Sequence, residues 1–418
     1  MSTVSNEATP MMTLAKEHGA AVFALEHRFY GASRPTPNQS VKNLKYLSSR
    51  QALKDVAYFI QEMNKKYKLE GARWVTFGGS YSGALSLWFR QQYPELVVGA
   101  VGSSAPLDAE FDFWVSDFYY QILSSCSRYH PGYLEVVEDA LRTQHSNDCA
   151  ENVRKGFKEI RELMKTKEGR DQLSEIFKLK APLSGLELSY NDIQYFYMVL
   201  YENFQMATQY NEVNVNPFNN AFGIKHVCDI MTKGNDDPIK KIQAVNVYMA
   251  DLRGGFEHTD NSYEDMLVHV AGLGKHAQNL AITRLLMVDQ MAYLVMSPLL
   301  GDVFVNMCTD VFGKKFHANY TYTAILATQA HYGGVEGFKA TNVVIPNGSV
   351  DPWHRLGKLA SDVASVVTYL MKAANTKPLM KPVMRRARTT YPKQEEGTAE
   401  EPILLSQMVR SPKNSVET

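Results

Sequence analysis

The chain has 418 residues, 45% of them hydrophobic, and its 44 lysines and arginines balance 44 aspartates and glutamates. That length fits one large domain carrying an insertion, or two domains, with enough apolar residues for a sizeable core. The zero net charge argues against nucleic acid or an acidic membrane surface as the main partner. No stretch is long and apolar enough to span a bilayer. The opening MSTVSNEATPMMTLAKEHG lacks the basic-then-apolar pattern of a signal peptide.

In chain order, Ala20–Leu25 (AAVFAL) is a short apolar run that ends in the polar loop EHRFYGASRP, and it reads as a buried strand. Ser49–Tyr67 has helical periodicity, with Leu53, Val56, Ala57, Ile60 and Met63 on one face. Arg73–Phe77 (RWVTF) reads as a second buried strand. It runs into GGSYSG and then into a helical pattern from Ala84 to Tyr93, closed by Pro94. Leu96–Gly102 (LVVGAVG) is a third strand, followed by SSAP. Strand and helix alternate, which predicts an α/β fold with a parallel sheet covered on both faces.

From about Asp108 to Met296 the texture becomes continuously helical, with LEVVEDALRTQ and NVRKGFKEIRELMK as clear amphipathic stretches. The α/β pattern returns with Asn342–Ile345, the loop PNGSVDPWH, and Ala364–Leu370. The expected organisation is therefore a core in two parts, 1–107 and 297–374, interrupted by a helical insertion at about 108–296. The proline-rich, charged segment 375–418 is expected to be irregular, without a packed core of its own. The four cysteines, Cys126, Cys149, Cys228 and Cys308, form no C-x-x-C pair, which disfavours a zinc or thioredoxin-type site. They admit either disulfides or buried thiols. Asn38, Asn319 and Asn347 head N-x-S/T triplets, candidate glycosylation sites if the chain is secreted.

Two motifs carry chemistry. In Phe77-Gly78-Gly79-Ser80-Tyr81-Ser82-Gly83 a strand leads in and a helix leads out, the setting of a nucleophile elbow. Such a turn needs small flanking residues; Gly78 lies two before Ser80 and Ser82 two after, where the strict pattern has glycine. The backbone N–H of Tyr81 would then face an oxyanion at a helix N-terminus. In VVIPNGSVDPWH, Asp351 follows a late strand and follows the serine, as a hydrolase acid does. The plainer readings are a glycine-rich turn without chemistry and an ordinary turn aspartate before proline.

The blocks ALEHRFYGASRP, FGGSYSG, GSSAP and NGSVDPWH, in this order, resemble the serine carboxypeptidase family of lysosomal Pro-X carboxypeptidase, dipeptidyl peptidase II and thymus-specific serine protease. The resemblance covers roughly Met11 to Leu370, and DPWH lies nearest the thymus-type branch. It implies an α/β-hydrolase core with an inserted helical cap. It also implies an exopeptidase acting near proline or other small residues at peptide ends, with no metal or cofactor. A lysosomal or secreted location follows from the same resemblance. Ser80 would be the nucleophile and Asp351 the acid, while Glu26, His27, Tyr30, Trp353 and His354 are candidates for the pocket. An esterase or lipase would share the elbow, but EHRFYG and DPWH match peptidases.

Three departures accompany the resemblance. The family places its catalytic histidine after the last strand, in a block resembling G-T-A-H-C; here that strand is followed by MKAANTKPLMKP, and no histidine occurs after His354. The early strands and the glycine-rich loop of the family have no counterpart before Met1, so the sheet is expected to lack the strand that pairs with both AAVFAL and RWVTF. A Q-T-C-T-E-F-G-like segment before Cys308 is also missing, which would deprive Cys308 of its usual partner. An incomplete, weakly active or non-catalytic peptide-binding homologue is the corresponding expectation.

Overall fold

A computed structural model describes residues 9–109, 133–184, 188–211, 222–234, 237–272, 298–372 and 403–408. The five predicted strands form in one sheet: β1 (Val22–Leu25), β2 (Arg73–Gly79), β3 (Gly99–Ser103), β4 (Val343–Gly348) and β5 (Val366–Met371). A sixth, β6 (Ile403–Met408), joins them in the order β1-β6-β2-β3-β4-β5, with every pair parallel. The sequence predicts an irregular tail and no strand between β1 and β2. Instead Ile403–Met408 fills that position, in register with Val22–Leu25 on one side and Arg73–Phe77 on the other. A strand there gives the facing N–H and C=O groups of β1 and β2 the partners they would otherwise lack. The apolar run that forms it is only a few residues long, within a segment dominated by proline and charge.

The third strand starts later than its apolar run. Residues before Gly99 are held as a loop, because the buried Arg90 guanidinium donates to the carbonyls of Pro94 (2.8 Å) and Val97. The same side chain donates to Thr341 O (2.9 Å), which fixes the approach to β4. Helix α1 (Pro10–Glu17) packs Met11 and Ala15 on the sheet beside Phe77 and Val101. Helix α2 (Ser49–Tyr67) is capped by Ser48, whose hydroxyl accepts from Gln51 N, and closes through Lys68 in the left-handed conformation. It buries Leu53, Val56, Ala57 and Ile60, with Met63 half-buried against the same core. Helix α3 (Tyr81–Gln92) is buried along most of its length, and Trp88 stacks on Tyr332 at 4.0 Å between ring centroids.

Helices α4 (Tyr133–Gln144), α5 (Asn147–Met164), α6 (Lys167–Ile176), α7 (Tyr190–Gln209), α8 (Ile224–Thr232), α9 (Pro238–Asp251) and α10 (Tyr263–Gly272) intervene between β3 and the return to the sheet. Serine caps start two of them: Ser146 Oγ accepts from Cys149 N, and Ser189 forms a capping box with Asp192. Cys149 of α5 and Cys228 of α8 form a disulfide. Cys308 is a buried free thiol, and Cys126 lies outside the described residues. Helices α11 (Pro298–Phe312) and α12 (Ala318–Tyr332) lead to β4. One hydrophobic cluster runs from Leu53, Trp88 and Ile345 through Leu107 to Leu141, Phe204 and Met249, so these inserted helices share their core with the sheet.

Candidate active site

The C-terminal edge of the sheet is where β2, β3 and β4 deliver their loops. At the end of β2, Ser80 adopts φ 59° and ψ −129°, a conformation L-residues avoid. Such a backbone costs on the order of 1–3 kcal/mol and persists only where the surroundings impose it. Here they do. Ser80 N donates to Ser103 O at the end of β3 (2.8 Å), and Ser80 O accepts from Ala84 N (3.0 Å) in the first turn of α3. The turn is tight enough that a Cβ at Gly78 would stand 2.0 Å from Ser82 O. A Cβ at Gly83 would stand 3.1 Å from both Ala105 Cβ and Ser103 O. Ser82, in the position where the strict pattern has glycine, is buried. Tyr81 is the first residue of α3, so its N–H lies at the helix N-terminus, beside Ser80.

The neighbouring loops are stitched to this turn. Ser104, also left-handed at φ 43°, donates its N–H to Pro346 O of β4 (2.8 Å). Beyond β4, Asp351 is buried and its Oδ1 accepts from Trp353 N (3.1 Å), capping the short 3₁₀ helix Pro352–Leu356. Leu107 and Asp108 N–H groups both donate to Leu356 O, which binds the segment after β3 to that helix. Ser80 and Asp351 thus follow strands with β3 alone between them, which places β2 and β4 about 10 Å apart on one edge.

His354 is buried, its Nδ1 2.7 Å from the Asp351 carbonyl oxygen, and burial lowers its pKa. A carbonyl only accepts, so Nδ1 carries the ring proton in the neutral form. Trp353 is half-buried against the core cluster.

The EHRFYG loop is a braced unit. Arg28 grips Asp55 of α2 through Nε and Nη2 (2.6 Å each) and also donates to Tyr46 O and Gln51 Oε1. Glu26 Oε2 accepts from Ser33 N (2.7 Å), and its carboxylate fills the space where a side chain at Gly31 (φ 52°) would go. His27 donates from Nδ1 to Arg28 O (2.8 Å), its Nε2 lies 3.3 Å from Tyr81 Oη, and burial pushes its pKa down to about 4. Tyr30 is buried edge-on to the His27 ring, and its hydroxyl pKa is raised by burial. Through Tyr81, His27 reaches the turn that carries Ser80.

The three sequons fare differently. Asn38 and Asn319 are exposed. Asn347 is fully buried in β4 and its Nδ2 donates to Lys358 O (3.2 Å), so the atom a glycan would occupy is already used. Asn347 is therefore corrected from a candidate glycosylation site to a core residue; a buried polar strand position looks like any other sequon in sequence. Arg90 and Asp55 were not marked by any motif, and only their partners, distant in sequence, reveal what they hold.

A parallel sheet with a strained serine between a strand and a buried helix at its C-terminal edge defines the α/β-hydrolase class. The chain belongs to the serine carboxypeptidase S28 family, whose sequence model matches residues 1–389. A Caenorhabditis elegans relative, named only provisionally as a serine protease, is 34% identical over 380 residues, covering 87% of this chain and 70% of its own length. Lysosomal Pro-X carboxypeptidase of Mus musculus is 28% identical over 359 residues, 82% of this chain and 67% of the relative. Thymus-specific serine protease of Mus musculus is 48% identical over 101 residues, 24% of this chain and 20% of the relative. The family is one of serine peptidases, and no helix among the described residues is long and apolar enough to cross a membrane.

Proposed function

We propose that the chain is a serine-type exopeptidase homologue acting on proline-containing peptide ends, with Ser80 as nucleophile, Asp351 as acid and the Tyr81 N–H as oxyanion donor. The observation that carries this is the backbone of Ser80: φ 59° on a non-glycine residue, enforced by a glycine two residues earlier that tolerates no side chain. That is the strain a serine needs to project its hydroxyl from a strand-to-helix turn. Relatives named Pro-X carboxypeptidase support the substrate class. A lysosomal or secreted setting is supported by the same relatives and by the Cys149–Cys228 disulfide, a bond that persists in oxidising compartments.

A serine hydroxyl is a weak nucleophile until a base takes its proton. The sequence has no histidine after His354, and the Nδ1 of His354 is committed to a backbone carbonyl. This favours a second reading, a non-catalytic peptide-binding homologue. Between the two, the expected result for the chain as written is turnover of proline-containing peptides on the order of 10⁴- to 10⁶-fold below a relative with a full triad. Peptidase assays on the full chain, with Ser80→Ala as control, test it. Turnover close to that of an intact relative, abolished by Ser80→Ala, would show that a base is present after all, and His354→Ala would be the next variant.

A further inference from the structure

Two features of the EHRFYG loop are unexplained by a mere bracing role. The first is the direction of its hydrogen bonds. Arg28, clamped by Asp55, Gln51 and the Tyr46 carbonyl, presents its own carbonyl to His27 Nδ1. Since the carbonyl can only accept, the imidazole proton sits on Nδ1 and Nε2 is left as an acceptor. The second is where that acceptor points: at the hydroxyl of Tyr81, the residue after Ser80 and the first of α3. Phe29, buried and left-handed at φ 68°, follows Arg28 directly and adds a strained residue to the turn that orients this carbonyl.

We propose that His27 is a positioning residue for the reaction: as a neutral Nδ1–H imidazole it accepts from the Tyr81 hydroxyl and thereby holds the first turn of α3, and the Tyr81 N–H, in the oxyanion-binding orientation. The chain of contacts runs from α2 through Arg28 and His27 to Tyr81. It couples the loop after β1 to the turn after β2, across the position of β6 in the sheet. Burial, which keeps His27 uncharged above about pH 4, preserves the acceptor through the range in which a serine peptidase works. An oxyanion donor acts through orientation fixed before the reaction, so a bond that restrains its residue matters to the rate rather than to substrate affinity. The inference rests on Ser80 being the nucleophile.

The test is phosphonylation of Ser80 in the full chain by a fluorophosphonate, with free imidazole supplied as base, separating probe affinity from the maximal inactivation rate. His27→Phe and Tyr81→Phe are expected to lower that maximal rate roughly five- to tenfold, the range one neutral hydrogen bond supports, and to leave probe affinity unchanged. The double variant is expected to be no slower than either single one, and His27→Gln, whose amide oxygen can accept from Tyr81, to recover most of the rate. An unaltered rate in Tyr81→Phe, or effects that multiply in the double variant, would overturn the proposal. If His27→Phe fails to fold, Tyr81→Phe and His27→Gln carry the kinetic test. A wild-type chain that is never phosphonylated at Ser80 would instead refute the nucleophile assignment. The positioning bond is then judged by ¹⁵N NMR of the His27 ring, where an Nδ1–H tautomer whose Nε2 resonance moves in Tyr81→Phe upholds it and an Nε2–H tautomer overturns it.

Discussion

At the scale of single residues, the site is defined by positions that tolerate little change. Gly78→Ala places a Cβ 2.0 Å from Ser82 O, a backbone atom that cannot swing away. The expected loss of stability is about 2–4 kcal/mol by urea unfolding, from overpacking and distortion of the turn; an unchanged unfolding midpoint would contradict the described geometry. His27 gives a second residue-scale expectation. Its folded pKa of about 4 lies below the ordinary 6.5, with burial the dominant cause, the neighbouring Arg28 acting in the same direction, and Asp55 and the Arg28 carbonyl acting against. Between those values the unfolded chain carries a proton that the folded chain does not, so unfolding takes up a proton and stability falls as pH drops from about 6.5 towards 4. The contribution lost is on the order of 3 kcal/mol. Comparing wild type with His27→Gln at pH 7 and pH 4.5 isolates it from the carboxylates; parallel losses in the two proteins would refute it. The strand-to-helix turn at Ser80 and the loop position of Asp351 were legible because their motifs are local. Arg90, Asp55 and the Tyr81 partnership of His27 stayed hidden, because each is defined by a residue many positions away.

At the scale of elements, β1 to β5 were legible as apolar runs ending in turn residues, and α2 as a 3.6-residue period with the expected buried face. The start of β3 was not, because the Arg90 side chain takes the Val97 carbonyl, within the apolar run, as its acceptor. The cysteines could not be paired from spacing; the packing of α5 on α8 decides that Cys149 meets Cys228. Their bond spans 79 residues of sequence. Closing a loop of that length stabilises the folded chain by on the order of 4 kcal/mol in the chain-entropy treatment. Cys228→Ala, or reduction, is therefore expected to lower the thermal midpoint by several degrees, measured by calorimetry, and an unchanged midpoint would mean the helices hold together without it.

At the scale of the whole molecule, the fold class followed from alternating strands and helices on either side of a helical block. The order of the sheet did not, since β6 comes from a segment whose composition argues against structure. Because β6 pairs on both sides, deleting residues 398–418 is expected to leave β1 and β2 with open facing edges and to drive self-association, visible by light scattering. A soluble monomer with the original thermal midpoint would show that the strand contributes nothing to the sheet's integrity.

The central proposal, that Ser80 is a nucleophile lacking its base, is tested most directly by the imidazole dependence of its phosphonylation, mapped by mass spectrometry. Free imidazole would supply from solution the base that the proposal takes to be missing. The expected result is a fluorophosphonate adduct on Ser80 that forms slowly alone, accelerates in proportion to added neutral imidazole, and disappears in Ser80→Ala. Fast labelling that ignores imidazole and is lost in His354→Ala, or the absence of any Ser80 adduct at all imidazole concentrations, would contradict it.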